Sequence, residues 1–190
     1  KGKKIGAISH FHADHTGYIP DCLSYFDIII THPITLRALG GISSGWPRYE
    51  QWVTQEYGDP FPTNSSKIRL LKANHIPGSA QIHVETNGES LLYSGDFNYP
   101  YCTIREADYL VLDATHGDPS VDGKTDRKSV LSRMYEDVKE KVDAGKTAVI
   151  YTDAGTLQEI IRHFEIVYDG DESKLSHDIP FVAKEGQIKI

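Results

Sequence analysis

Apolar positions fall in short runs through the first two thirds of the chain and take a helical period after that. Ile5 to Ser9 is a brief apolar run and reads as a buried strand. Asp27 to Thr31 (Asp-Ile-Ile-Ile-Thr) is β-branched and reads as a second strand. Gly17 to Tyr25, between them, reads as a short helix or turn. Ile34 to Leu39 reads as a short helix that Gly40-Gly41 should end. Ile68 to Ala73, Gln81 to Thr86 and Ser90 to Ser94 read as three strands. Asn87-Gly88 between the last two is a hairpin signal. Tyr109 to Asp113 reads as one more strand.

The period then changes. Asp126 to Ala144 places Val130, Met134, Val138 and Val142 on one helical face, with Leu131 and Tyr135 beside them, and Gly145 closes the helix. Thr147 to Thr152 reads as a strand. Thr156 and Glu159 form a capping-box pattern ahead of Leu157, Ile160, Ile161 and Phe164. Pro180 to Ala183 reads as a last strand. Hairpins first, then strand–helix alternation, predict a layered α/β chain that changes character near Asp113. Gly41 to Ser66 has no clean period. It reads as a loop with a helical piece over Arg48 to Glu56, either covering a site or packing as an arm.

The chain has 190 residues, 39% hydrophobic and 25% charged, which suits a globular chain and excludes disorder and coiled coil. No apolar run approaches the roughly 18–20 residues of a membrane span, and no secretory leader opens the chain. Two cysteines, Cys22 and Cys102, are too few for a disulfide framework and read as packing residues in a reducing, cytoplasmic setting. A net charge of −7 argues against a generally basic nucleic-acid surface, so any such contact is expected to be confined to a cleft or supplied by a missing domain. The opening Lys1-Gly2-Lys3-Lys4, without Met, and the abrupt end are expected to reflect missing sequence at both ends.

Chemistry concentrates just after the first strand. Ser9-His10-Phe11-His12-Ala13-Asp14-His15 packs three imidazoles and a carboxylate into six residues. These are the ligands that zinc and similar borderline metals prefer. Residues two apart in an extended segment point the same way, so His10 and His12 can reach one metal. Asp14 and His15, on the turn beyond, can face a second, with Gly17 letting the loop curl. The alternative is a surface histidine cluster or a helix cap.

His-x-His-x-Asp-His after an apolar strand resembles the signature of the metallo-β-lactamase superfamily. Asn74-His75-Ile76-Pro77-Gly78-Ser79 is similar to its third motif. Tyr93-Ser94-Gly95-Asp96-Phe97, 21 residues on from His75 to Asp96, is similar to its fourth. Ser9 to Pro20, Thr31-His32-Pro33 and Ala107 to Gly117 resemble the β-CASP nucleases: the cleavage and polyadenylation nuclease subunit, its archaeal relatives and ribonuclease J. Gly145 to Ile150, then Gln158-Glu159, resembles the entry into their β-CASP insertion.

The resemblance implies an αββα sandwich lacking its first strands in residues 1–125, and the beginning of a β-CASP domain in residues 126–190. It implies two zinc ions, with His10, His12 and His75 on the first, Asp14 and His15 on the second, and Asp96 bridging. It gives Asp113 as an acid that orients a ligand histidine, so that Asp14, Asp96 and Asp113 are the candidate catalytic carboxylates. The chain departs from the family at His116, where Tyr is usual, and at Gly155-Thr156, where Gly-Arg is usual. The last ligand of the second ion has no clear match; His177 is the only late candidate. His32 and His83 read as structural, and His163 as an exposed helical residue.

The function this implies is metal-dependent hydrolysis of single-stranded RNA, less readily DNA, in RNA processing or decay. Two metals about 3.5–4 Å apart lower the pKa of a shared water and stabilise charge on phosphoryl oxygens. A homodimer or a processing complex is the expected assembly, with no membrane partner. The alternatives are a thioesterase or lactonase of the same fold, or a non-catalytic subunit of a processing complex.

Overall fold

A computed structural model of the chain describes residues 2–42, 50–115, 126–146, 149–152 and 186–189, together with positions 156, 159, 160, 163 and 164. These residues form two compact units, Lys1–Asp113 and Ala114–Ile190.

The first unit is built from two sheets. One is parallel: β1 (Ile5–Ala7) pairs with β2 (Ile28–Thr31), and β2 pairs with β3 (Trp52–Thr54). Between β1 and β2 lie α1 (Ala13–Thr16), α2 (Ile19–Cys22) and a 3-10 turn at Leu23–Tyr25. The second sheet has five strands in sequential order: β4 (Pro60–Pro62), β5 (Ser66–Lys72), β6 (Ala80–Thr86), β7 (Glu89–Tyr93) and β8 (Tyr109–Val111). Its pairs are antiparallel except β7 with β8. Asn87 (φ 51) and Gly88 (φ 85) close the β6–β7 hairpin, both with the positive φ that the tightest hairpin turn requires.

Alternation explains how the sheets meet. Ile68 and Leu70 of β5 point the same way as Ala80 and Ile82 of β6, and they bury against Ile30 of β2. Ile5, Ala7, Ile28, Tyr57, Phe61, Val84 and Tyr93 flank this core. Burying one such aliphatic side chain contributes about 1.5–3 kcal/mol, enough to fix register, since a one-residue slip would expose the whole row.

Several expectations need correction. Trp52–Thr54 is strand β3, not the end of a helical piece over 48–56; residues 43–49 lie outside the described set. Trp, Val and Thr favour a strand, and pairing with β2 satisfies their backbone. Helix α3 (Pro33–Ile42) runs through Gly40 and Gly41 rather than ending before them. Ala38 and Leu39 are buried just ahead of the glycines, and packing outweighs the helix cost of about 1 kcal/mol per glycine. Strand β4 was not anticipated. Its two prolines are confined to an edge strand, where missing N–H groups cost little.

In the second unit, α4 (Arg127–Asp143) starts at Asp126, whose carboxylate accepts from the Ser129 backbone N–H at 3.1 Å. Leu131, Met134, Tyr135, Val138 and Val142 are half-buried, while Val130, expected on the same face, is 39% exposed. Tyr135 meets Phe164 edge-on, and Arg127 pairs with Glu159. Strand β9 (Val149–Thr152) pairs antiparallel with β10 (Gly186–Lys189), which the sequence pattern did not suggest. The expected strand at 180–183 lies outside the described residues. Among the described residues no helix is long and apolar enough to cross a membrane.

Candidate metal centre

The cluster is assembled from the ends of three strands. The chain leaves β1 extended, with Ser9, His10 and Phe11 buried. His12 (φ −63, ψ 150) is the last extended residue and caps α1. Thr16 Oγ1 donates to the His12 carbonyl at 2.8 Å, and this single tight turn swings His15 back toward His10. Gly17 is right-handed (φ −56), so the loop does not use the conformational freedom expected of it; glycine is required because the Ala13 carbonyl lies 2.9 Å from where a Cβ would stand.

His75 follows β5. Asn74 sits in the left-handed region (φ 59), which turns the chain so that His75 faces His10 and His12, with ring centroids 5.0 Å from each. Asp96 follows β7 through Gly95 (φ 52), whose absent side chain leaves room for Ser9 Cβ at 3.0 Å from the Cβ position.

One donor atom from each of His10, His12, His75 and Asp96 lies within 4.8 Å of the others. His75 Nε2 is 3.3 Å from His12 Nδ1 and 3.4 Å from Asp96 Oδ2. His10 Nε2 is 3.7 Å from the same carboxylate oxygen. The other oxygen, Oδ1, lies 3.1 Å from His15 Nε2. Asp14 is 76% exposed, with Oδ2 at 3.5 Å from His15 Nε2. Four expected ligands therefore converge on one point, and His15, with Asp14 beside it, lies on the second oxygen of Asp96.

His10 supplies the test of whether a cation fits. Its Nδ1 is engaged by Ser9 Oγ at 3.1 Å, while its fully buried Nε2 has no hydrogen-bond partner and is aimed into the cluster. A buried polar atom left this way is costly unless something fills the position. Burial, then the neighbouring His15, His12 and His75, lowers the His10 pKa from 6.5 to about 2. The ring is held neutral, with a lone pair available. Three imidazoles and a carboxylate suit a borderline divalent metal.

Asp113 lies outside the four-residue group. It is half-buried, and its backbone N–H donates to Ser94 Oγ at 2.8 Å, while Ser94 Oγ donates to the Gly95 carbonyl at 2.8 Å. The end of β8 is thereby tied to the turn that carries Asp96. His32 and His83 are buried in the unit, and burial lowers both pKa values. His163 is helical and half-buried, 3.4 Å from Ser132 Oγ. Cys22 is exposed and Cys102 buried, and both are free thiols. His116 and His177 lie outside the described residues.

Ser9, Ser79 and Ser94 were not singled out from the sequence, although each stands within or beside a quoted motif. Their signal is a hydroxyl next to a ligand, which has meaning only once the turn geometry is known. Tyr57 gave no signal at all.

A two-sheet α/β unit with a His/Asp metal-binding group between strand ends defines the class. Residues 7–154 match the family model of the metallo-beta-lactamase superfamily, and the chain belongs to that superfamily. An "RNase J-like protein" of Methanocaldococcus jannaschii is 31% identical over 176 residues, 81% of this chain and 41% of that protein. An "RNase aCSPSF2" of Saccharolobus solfataricus is 28% identical over 178 residues, 78% of this chain and 35% of that protein. An "Endoribonuclease YSH1" of Eremothecium gossypii is 22% identical over 191 residues, 81% of this chain and 24% of that protein. The chain thus spans less than half the length of these relatives, whose names are those of ribonucleases. A crystal structure of a protein of unknown function from Enterococcus faecalis V583 superimposes with TM-score 0.54 at 13% identity, covering 73% of this chain and 39% of that one. That likeness shows the fold alone.

Proposed function

We propose that this chain carries the metal centre of a zinc-dependent ribonuclease that hydrolyses phosphodiester bonds of single-stranded RNA in RNA processing or decay. The observation that carries the reading is the two-sided engagement of Asp96. Oδ2 faces His10 and His75, and Oδ1 faces His15. A carboxylate presented in this way suits two ions, one on each oxygen. His10, His12 and His75 would hold the first with Asp96; His15 and Asp14 would hold the second. The names of the relatives support RNA as substrate and the β-CASP group as subfamily.

Bound there, the ions would supply Lewis-acid charge and an ionised water at neutral pH, the chemistry a phosphodiester needs. The chain's own residues prepare that chemistry. Burial keeps His10 neutral and acceptor-ready. Ser9 Oγ on Nδ1 fixes its ring orientation. The Ser94 contacts to Asp113 and Gly95 hold the turn on which Asp96 is displayed. Asp14, largely exposed, is accessible from solvent at the rim.

The test uses the intact parent protein, zinc-loaded, on 5′-labelled single-stranded RNA, with thioester and lactone substrates in parallel. RNA cleavage abolished by chelator is the expected result, and the product ladder separates internal from end-directed cleavage. Hydrolysis of a thioester or lactone with RNA left intact would overturn the reading.

A further inference from the structure

The turn that presents His75 is held from outside the cluster. Ser79, 1% exposed, closes it: Ser79 Oγ accepts from the backbone N–H groups of His75 at 3.0 Å and Ile76 at 3.1 Å. The Ser79 N–H donates to the Ile76 carbonyl at 2.9 Å. The position of His75 therefore depends on where Ser79 is placed. Thr35 Oγ1 of α3 donates to the neighbouring Gly78 carbonyl at 2.8 Å. A second side-chain anchor comes from the segment after β3: Tyr57 Oη donates to the Ser79 carbonyl at 2.9 Å.

We infer that Tyr57 is a positioning residue for His75, and that its hydroxyl sets how tightly the first metal is held. This rests on the reading of His75 as a ligand. Three features separate Tyr57 from an ordinary core aromatic. Its ring is fixed by stacking on His32, with centroids 4.2 Å apart and planes 23° apart. His32 is itself fixed: Nδ1 accepts from the Ile34 N–H at 3.2 Å, so Nε2 carries the proton and faces Glu56 Oε2 at 3.3 Å. Burial also pushes the Tyr57 phenol above its ordinary value of 10, so the hydroxyl is a donor throughout the neutral range.

The aim of the hydroxyl matters more than its energy. The Ser79 carbonyl also accepts from the Ala73 N–H at 3.2 Å. Removing the Tyr57 hydroxyl therefore leaves that carbonyl satisfied, and folding loses little. What is lost is a side-chain tether that fixes the turn from outside, alongside that of Thr35. Groups hydrogen-bonded directly to a metal ligand typically change affinity about 10–100-fold when removed; Tyr57 acts one contact further out, through Ser79, so the effect expected of it lies at the lower end, about tenfold. A residue serving only as packing would leave affinity unchanged, because phenylalanine keeps the ring and its stack.

The experiment compares wild type, Tyr57→Phe and His75→Ala in the intact parent protein. Each is stripped with chelator, then titrated with zinc against a competing indicator, and the metal-free melting temperature is read alongside. The expected result is zinc binding weakened about tenfold in Tyr57→Phe, with the metal-free melting temperature near wild type, and a larger loss in His75→Ala. Wild-type affinity in Tyr57→Phe, with His75→Ala impaired, would overturn the positioning role and leave His75 as a ligand. Wild-type affinity in both would overturn the ligand reading on which the inference stands.

Discussion

His15 Nε2 lies 3.1 Å from Oδ1 of Asp96, on the opposite side of that carboxylate from His10 and His75. One side chain thus links the two halves of the His-x-His-x-Asp-His segment. Asp96→Ala should accordingly reduce bound zinc in both halves together, not by one ion, and lower RNA cleavage on the order of 10³-fold. The carboxylate is 30% exposed at a turn, so the fold should survive. Zinc content per chain and far-ultraviolet circular dichroism check this. A full wild-type metal complement in the variant would rule out a shared ligand.

The His10 imidazole makes a second prediction. It is wholly buried, and its Nε2 has no hydrogen-bond partner. A cation that binds only the folded state stabilises it by mass action, about 2.7 kcal/mol when free metal is one hundred times Kd. Chelation should therefore lower the melting temperature of the wild-type protein, and added zinc should restore it. His10→Ala should abolish most of this zinc-dependent increment, since it removes the deepest donor. An undiminished zinc increment in His10→Ala, seen by scanning calorimetry, would show that metal binds elsewhere.

Asn74 (φ 59) is non-glycine in the left-handed region, immediately before His75. Asparagine tolerates that conformation and glycine adopts it freely, whereas a β-branched side chain does not. Asn74→Gly should retain zinc affinity and stability to within about 0.5 kcal/mol. Asn74→Val should cost about 1–2 kcal/mol and weaken zinc binding as His75 is turned away. Urea titration and zinc competition on both variants test this. Equal behaviour of Gly and Val would mean that the backbone at Asn74 does not direct His75.

Much of this arrangement could be read from the sequence, for a physical reason. His10 and His12 alternate along extended chain, so their spacing alone aims them together. His75 follows a strand that alternates polar and apolar over Lys67 to Leu70, and Asp96 follows one that the Asn87-Gly88 turn marks as the second arm of a hairpin. What could not be read depends on contacts distant in sequence. Trp52–Thr54 has strand-favouring residues but is only three long, and the edge that β2 offers is what fixes it as a strand, since its flanking residues carry weak local signals. Gly40 and Gly41 stay helical because Leu39 is buried against the core. Tyr57 reaches Ser79 across 22 residues, and no local pattern encodes that contact. The reason for glycine at position 17 is likewise not legible, because a loop that must curl and a close approach to the Ala13 carbonyl call for the same residue.

His83 carries a pH dependence separate from the metal centre. It is 1% exposed in β6, with Nδ1 3.8 Å from Glu85 Oε1, and burial, more than the nearby Arg105, lowers its pKa below 6.5. In the unfolded chain it titrates near 6.5. Between the two values the unfolded state holds the extra proton, so stability rises with pH there and is flat above. Acidifying from pH 7.5 to 5.5 should therefore destabilise the folded chain. His83→Leu, which replaces the ring with a side chain that takes no proton, should lose less over the same interval. Urea midpoints in excess chelator, at both pH values, isolate the difference from the candidate ligands common to both proteins. An equal acid loss in wild type and His83→Leu would show that His83 takes up its proton as readily folded as unfolded.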